Sequence, residues 1–199
     1  MARSSKLTAR TRTARARIAR ARIAPLLRLI EHGFAALGLL FLVYHLGFDL
    51  SVMASPSMSP ALRGTSAEPG DWVLAERISY LFRRPRRWEV VAFRNNGGTN
   101  VMKRVVGLPG EAVSLADNCV VVNGSAAARP ASIAGVKYYA YGNLARNKPA
   151  ACGDGYYVLG DDSQDSEDSR FEGPVGPDRI RGRAWLIVWP LSRIGFVNP

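Results

Sequence analysis

Three short segments hold the residue types that could do chemistry. The first is Ser55 to Leu62, "SPSMSPAL", with three serines at alternate positions and two prolines. The second is "VMKRVVGL", which carries Lys103 among apolar neighbours. The third is "GDDSQDSEDSR", Gly160 to Arg170, with five acids and three serines in 11 residues. A serine hydroxyl becomes a nucleophile only when a neighbouring group takes its proton. Both histidines, His32 and His45, precede residue 50, so no Ser-His-Asp triad and no histidine metal site is available within the region that follows. An exposed carboxylate titrates near 4 and is a poor base for a hydroxyl, and arginine keeps its proton. Lysine remains.

Beyond residue 50 the chain has three lysines, Lys103, Lys137 and Lys148, against fifteen arginines. Lys137 and Lys148 lie in polar surroundings, whereas Lys103 is flanked by Val101, Met102, Val105 and Val106. Burial among such side chains disfavours the ammonium and makes a neutral amine a workable base. The same pattern also suits a solvent-facing lysine on an edge strand. The acidic segment allows two readings as well. It could be a solvated or calcium-binding loop, although no Gly stands sixth and no Glu twelfth, as an EF-hand loop requires. Alternatively, Asp168 and Arg170 could pair while a serine orients a neighbouring amine.

These segments need elements to hold them. From Asp71 onward, short runs rich in Val, Ile and aromatics alternate with Gly, Pro, Asn and Asp: "DWVLAERIS", "EVVAFRN", "NVMKRVVGL", "CVVVNG", "YYVLGDD" and "RAWLIVWP". Asn123-Gly124 signals a hairpin turn. The expected class is mainly β, an antiparallel domain over 51–111 and 156–199. Residues 112–155, richer in Ala, Gly and Asn, are expected to form an insertion or looser lobe.

Before them lies Gly33 to Phe48, 16 residues without a formal charge. Extended to 26–50, it has the length a transmembrane helix needs. Residues 1–32 hold nine Lys/Arg and one acid, 9 − 1 = +8, out of a total of +11, leaving +3 for the rest. The basic excess therefore belongs mainly to the tail, and it argues little for a nucleic-acid partner. The tail, 1–25, reads as solvated or lipid-headgroup-facing, or as an organelle transit peptide. With a membrane span following it, the positive-inside rule puts it in the cytoplasm and the rest across the membrane. Cys119 and Cys152, the two cysteines, are too few for a Cys-rich zinc module.

At the three segments the chain resembles bacterial type I signal peptidases, the membrane-bound Ser/Lys proteases of family S26, also called leader peptidases. "SPSMSPAL" resembles their nucleophile box, with Ala61 where Thr is usual, and "MKRVVGLPGE" resembles the lysine box. "GDDSQDSEDSR" resembles the Gly-Asp-Asn-Ser box, with Asp162 in place of Asn. "RRWEVVAF" and the end of the chain, "GRAWLIVWPLSRIGFV", add weaker matches.

The resemblance implies that Ser57 is the nucleophile and Lys103 its base. Ser55 and the Ser57 backbone N–H would form the oxyanion hole. Ser166 would orient the lysine amine, supported by Asp168 and Arg170, while Ser59 receives no role. An ionised Asp162 only accepts hydrogen bonds, where Asn also donates. Met53, Met58, Leu62, Val73, Ala92, Val101 and Met102 are the expected lining of shallow pockets for small residues in the Ala-x-Ala style. The implied partners are preprotein signal peptides and the lipid bilayer of a bacterial inner membrane, with no metal, cofactor or nucleic acid. A smaller β lobe over 112–155 is implied too, and outside the cytoplasm a Cys119–Cys152 bridge is preferred over two free thiols. The alternatives are a relative dedicated to one conjugation or pilus substrate, and a non-catalytic membrane-anchored β module.

Overall fold

A computed structural model describes residues 2–65 and 70–198. The chain divides into two units, Met1–Leu46 and Gly47–Pro199. The first is almost all of one helix, α1 (Ala2–Gly47). The stretch Pro25–Gly47 within α1 is 23 residues long and apolar enough to cross a membrane. The basic side chains up to residue 24, expected to be solvated or lipid-facing, lie outside the described residues.

The helix ends at Gly47, short of the sequence-based limit of 50. Phe48–Val52 instead form strand β1, whose Phe48 to Val52 pair antiparallel with Glu76 to Trp72 of β2 (Trp72–Glu76). Phe48, Leu50 and Val52 continue the apolar run of α1, so only the pairing partner reveals the strand.

A short helix, α2 (Ser79–Phe82), leads to β3 (Val90–Arg94) and β4 (Asn100–Gly107). Then come β5 (Ala112–Ala116), β6 (Cys119–Val122), β7 (Ser125–Ala126), β8 (Ala150–Ala151) and β9 (Tyr157–Leu159). The last elements are α3 (Ser169–Glu172), β10 (Ile180–Trp189) and β11 (Gly195–Phe196). One sheet runs β1-β2-β10-β3-β4-β9, with β11 also on β10, and a second runs β7-β6-β5-β8. Every named pairing is antiparallel.

Strand β3 reads as an unbroken apolar run because both of its faces are covered. Val90 and Ala92 join a core with Met53, Met58, Leu62, Val73 and Met102. Val91 and Phe93 join another with Val105, Tyr156 and Val158. The second sheet packs Val113, Leu115 and Val120 with Tyr138, Leu144 and Tyr157. Strand β5 escaped the sequence reading because Ala and Ser dilute its alternation. Its turn into β6 is made by Asp117 and Asn118, both at positive φ, as a tight hairpin turn asks. The expected Asn123-Gly124 turn joins β6 to β7, with φ 50° and 81°.

The topology also argues against the Cys119–Cys152 bridge. Both thiols are free, Cys119 exposed and Cys152 buried. Strand β5 lies between their strands: Cys119 faces Ala116 at one end, and the Cys152 N–H bonds to Glu111 beyond the other. Strand geometry separates them by roughly 15 Å along the sheet and about 10 Å across it. A disulfide needs Cα atoms within about 7 Å.

Candidate active site

The chain leaves β1 through an irregular step and turns at a single 3-10 turn, Pro56–Met58, capped by the backbone bond from Ser59 N–H to Pro56 O, 2.7 Å. Pro56 suits the first position, since its missing N–H would have no partner there. The turn drives Met58 into the core and leaves Ser57 5% exposed above it.

Lys103 comes from β4, opposite Val91 on β3. Residues two apart on a strand share a face, so Lys103 stands with Val101 and Val105. It is 4% exposed. Burial holds its ammonium below the ordinary lysine value, the Asp168 carboxylate acts in the opposite direction, and the Arg170 guanidinium lowers it again. Its Nζ lies 2.6 Å from Ser57 Oγ, its one hydrogen-bond partner among the described residues. Ser55 Oγ donates to Ser57 Oγ at 3.1 Å.

The acidic segment is no solvated calcium loop. It folds against the serine turn, with Asp162 N–H donating to Ser57 O at 3.0 Å. Gly160 makes this approach possible. A Cβ there would stand 2.5 Å from Ser57 O and 2.2 Å from Ser166 Oγ. Asp162, where an amide was expected, needs only to accept: Gln164 N–H and Asp165 N–H point at its Oδ1, 3.3 and 3.4 Å away.

Asp168 and Arg170 form a two-pronged pair, Nε to Oδ1 and Nη2 to Oδ2, both 2.8 Å and both side chains fully buried. Burying two charges is costly unless their remaining groups are bonded, and here they are. Asp168 Oδ2 accepts from Gly160 N–H at 3.0 Å and Ser166 Oγ at 2.9 Å. Arg170 Nη1 reaches Ser163 Oγ at 2.6 Å and Tyr139 O at 3.0 Å.

Ser166, expected to orient the lysine amine, has no hydrogen bond with Lys103 among the described residues. Its hydroxyl donates to Asp168, the carboxylate that raises the Lys103 value.

A second buried pair was missed in the sequence. Arg104 Nε and Nη2 meet Asp161 Oδ1 and Oδ2 at 2.8 and 2.7 Å, and Tyr138 Oη donates to Asp161 at 3.2 Å. These residues neighbour Lys103 and Gly160 in the chain. Adjacency to a candidate base was the available signal, but nothing linear chooses Asp161 among five acids.

Beside Ser57 and Lys103 lies a hollow of about 260 Å³ whose walls include Val52, Met53, Ala92, Val101 and Met102. Four of the seven expected lining residues are among them. Met58, Leu62 and Val73 are not: all three are fully buried in the core beneath. Met58 and Leu62 follow the serine turn, and Val73 follows β2, into that core. A second hollow, about 270 Å³, opens from the same two residues toward Phe93, Val158, Asp165 and Glu167.

The family model for signal peptidase, peptidase S26, matches residues 26–189. A signal peptidase I of Leptolyngbya laminosa is 36% identical over 154 residues, covering 73% of this chain and 70% of that protein. A probable signal peptidase I-2 of Synechocystis sp. is 34% identical, covering 72% of this chain and 64% of its own length. A mitochondrial ATP-independent inner membrane protease subunit 1b of Arabidopsis thaliana is 31% identical, with 78% of both chains covered.

Proposed function

The chain belongs to the signal peptidases of family S26, which are serine endopeptidases, and on that premise we propose that it removes signal peptides from exported preproteins with a Ser57/Lys103 dyad. The observation that carries this reading is the 2.6 Å contact between Lys103 Nζ and Ser57 Oγ, made inside an apolar wall.

In the neutral form of Lys103 the Ser57 hydroxyl donates to the amine, while Ser57 Oγ accepts from Ser55. Attack on the scissile carbonyl carbon passes the serine proton to Nζ. The oxyanion then draws on the Ser57 N–H, which has no acceptor inside its own short turn, and on the Ser55 hydroxyl once it swings from Ser57. Such donors typically contribute about 10²–10³ in rate. When the C–N bond breaks, the ammonium returns its proton to the leaving amine. A water molecule, deprotonated by the same lysine, then attacks the acyl carbon; the ester bond to Ser57 Oγ breaks, and Oγ takes the proton back from the ammonium.

The hollow walled by Met53, Ala92, Val101 and Met102 suits small apolar side chains before the cut. An extended segment lying beside β4 would add backbone bonds. Ser166, Asp168 and Arg170 act as support, holding a carboxylate near the amine. The span Pro25–Gly47 would anchor the chain in the inner membrane. With nine cationic residues in 1–32, the tail would face the cytoplasm and the β domain the other side.

The test is incubation of the full chain, in detergent, with a preprotein bearing a signal peptide, the cut being located by mass spectrometry. A single cut after a small residue, lost in Ser57→Ala, supports the proposal. Cleavage that survives this substitution refutes it.

A further inference from the structure

A hollow of about 500 Å³ in the β domain takes no part in the proposed chemistry, and neither Ser57 nor Lys103 lines it. Its walls are apolar and stiff: the Tyr80 ring, Ile180, and the prolines Pro85, Pro109 and Pro177. That size suits a small organic molecule, and such walls suit a flat or apolar group. Tyr80 offers only its ring, because its hydroxyl donates to Glu89 Oε2 at 3.1 Å.

Tyr156 differs from Tyr80. It is 2% exposed, and its ring packs with Val91, Phe93, Val105 and Val175. Its backbone N–H and C=O both bond to Val175, at 2.8 Å each. The hydroxyl at the end of this fixed side chain reaches the hollow and has no hydrogen-bond partner among the described residues. Leaving a buried hydroxyl without a partner is unfavourable, so the group points to a ligand. Burial pushes the phenol up, and the Arg84 guanidinium is the charged group that draws it down.

Arg84 lines the same hollow. Its carbonyl accepts from Arg83 Nη1 at 3.1 Å, and Arg83 in turn grips both oxygens of Glu89, at 3.0 and 2.7 Å. The charge of Arg83 is thereby neutralised. The exposed guanidinium of Arg84 has no partner among the described residues. Asp154, also on the wall, supplies the opposite charge. It sits in the turn between β8 and β9, closed by Gly155 N–H to Cys152 O at 3.0 Å, and its carboxylate has no partner among the described residues either.

These groups select a ligand chemistry. A guanidinium and a phenol hydroxyl both donate, and together they match the oxygens of a carboxylate. Asp154 disfavours a doubly charged phosphate by like-charge repulsion and accepts from an ammonium. The two free charges, Arg84 and Asp154, cancel, so a zwitterion with an apolar body complements the hollow.

We infer that this hollow is a second binding site, for a short apolar peptide with free ends: Arg84 and Tyr156 hold its carboxylate, Asp154 its ammonium, and the proline and tyrosine walls its side chains. The inference is independent of the Ser57/Lys103 reading. Peptide hydrolysis is the class of reaction that supplies such a molecule.

The test is isothermal titration calorimetry of the full chain in detergent, with millimolar alanyl-phenylalanine as the probe. Its C-terminal amide and its N-acetyl form are titrated in parallel, and heats into detergent alone are subtracted. Tyr156→Phe removes a hydroxyl that bonds to nothing in the fold, so the variant should fold as the parent does.

The dipeptide should bind the parent, and Tyr156→Phe should weaken it about tenfold, as expected for a hydrogen bond to a charged group. Arg84→Gln should weaken it about threefold or more. The amide should bind more weakly than the acid and equally to parent and both variants. Asp154→Asn should weaken the dipeptide about threefold and leave the N-acetyl form unchanged. No binding at millimolar dipeptide overturns the inference. So does an unchanged affinity in Tyr156→Phe or Arg84→Gln, which is the result if the dipeptide sits beside Ser57 instead. An affinity unchanged in Asp154→Asn overturns the zwitterion as the occupant.

Discussion

Lys103 Nζ stands 2.6 Å from Ser57 Oγ, although 46 residues separate them in the chain. Strand β4 delivers one and the turn after β1 the other. Replacing Lys103 by Met keeps the apolar stem and removes the base, so preprotein cleavage should fall by about 10²–10⁴-fold or more. Lys103→Arg should not restore it, because a guanidinium cannot give up its proton. Steady-state cleavage with folding checked by circular dichroism measures both. Activity retained in Lys103→Met would remove the dyad.

The lowered affinity of Lys103 for its proton has a pH signature. The neutral amine is the active form, so kcat/KM should decline as pH falls through the lowered value, with a limb lying below the ~10.4 of a free lysine. Stability follows the same linkage. Above about 10.4 the lysine is neutral both folded and unfolded and imposes no penalty. Below it the unfolded chain takes up the proton first, and stability is lost until pH reaches the lowered folded value. Lys103→Met should therefore resist denaturant better than the parent near pH 7, and the difference should close above about 10.4. A constant difference across that range would contradict a lowered folded value.

Asp168 neutralises a fully buried Arg170. Asp168→Ala should cost about 3–5 kcal/mol, because it leaves that charge without its partner. Asp168→Asn is the milder probe. It removes a carboxylate that raises the Lys103 value, so the acidic limb of the rate profile should move to lower pH. Ser166→Ala should move it less, since it removes only one of the bonds that hold Asp168. A limb that stays in place in Asp168→Asn would show that the carboxylate does not act on the base.

Gly160 is where the acidic segment meets the serine turn. Gly160→Ala puts a methyl 2.5 Å from the Ser57 carbonyl oxygen, a backbone atom that cannot turn aside. Overpacking of this kind costs about 1–3 kcal/mol. Because the displaced atom belongs to the nucleophile, kcat should fall even well below the melting temperature. Unchanged kcat would mean that the loop can shift without moving Ser57.

The two thiols should behave separately. Cys119 is exposed, while Cys152 is buried and its thiol is pushed up to about 11, mainly by burial. An aromatic disulfide reagent should titrate one thiol in the folded chain and two after unfolding. Titration of neither in the unfolded, unreduced chain would establish the bridge that the topology opposes.

Much of the site was legible in the residues, for a chemical reason. A chain without histidine beyond residue 50, and with three lysines there, leaves few ways to activate a serine. An apolar neighbourhood around Lys103 allowed burial but suited a solvent-facing edge lysine as well, and the packing of β4 decides for burial. The pairing of Asp168 with Arg170 was one of two readings the acidic segment allowed, and the fold decides for it. Composition likewise separated the apolar helix from the β-rich remainder, and β-branched runs announced β3, β4 and β10.

What the linear pattern left open were relations between distant segments, which depend on register and packing. Apolar Phe48, Leu50 and Val52 suit a membrane helix or a strand equally, and pairing with β2 decides for the strand. Met58, Leu62 and Val73 are chemically fit for a substrate pocket, but the fold spends them on the core. Ser166 has a hydroxyl that could reach an amine, and the loop instead turns it to Asp168. The buried Arg104–Asp161 pair and the contact that requires Gly160 arise only when β4 and the acidic segment are brought together. Residue type sets which reactions and which environments a side chain can support. Which partner it meets is set by the three-dimensional path of the chain, because hydrogen bonds and packing act over a few ångströms that sequence separation does not measure.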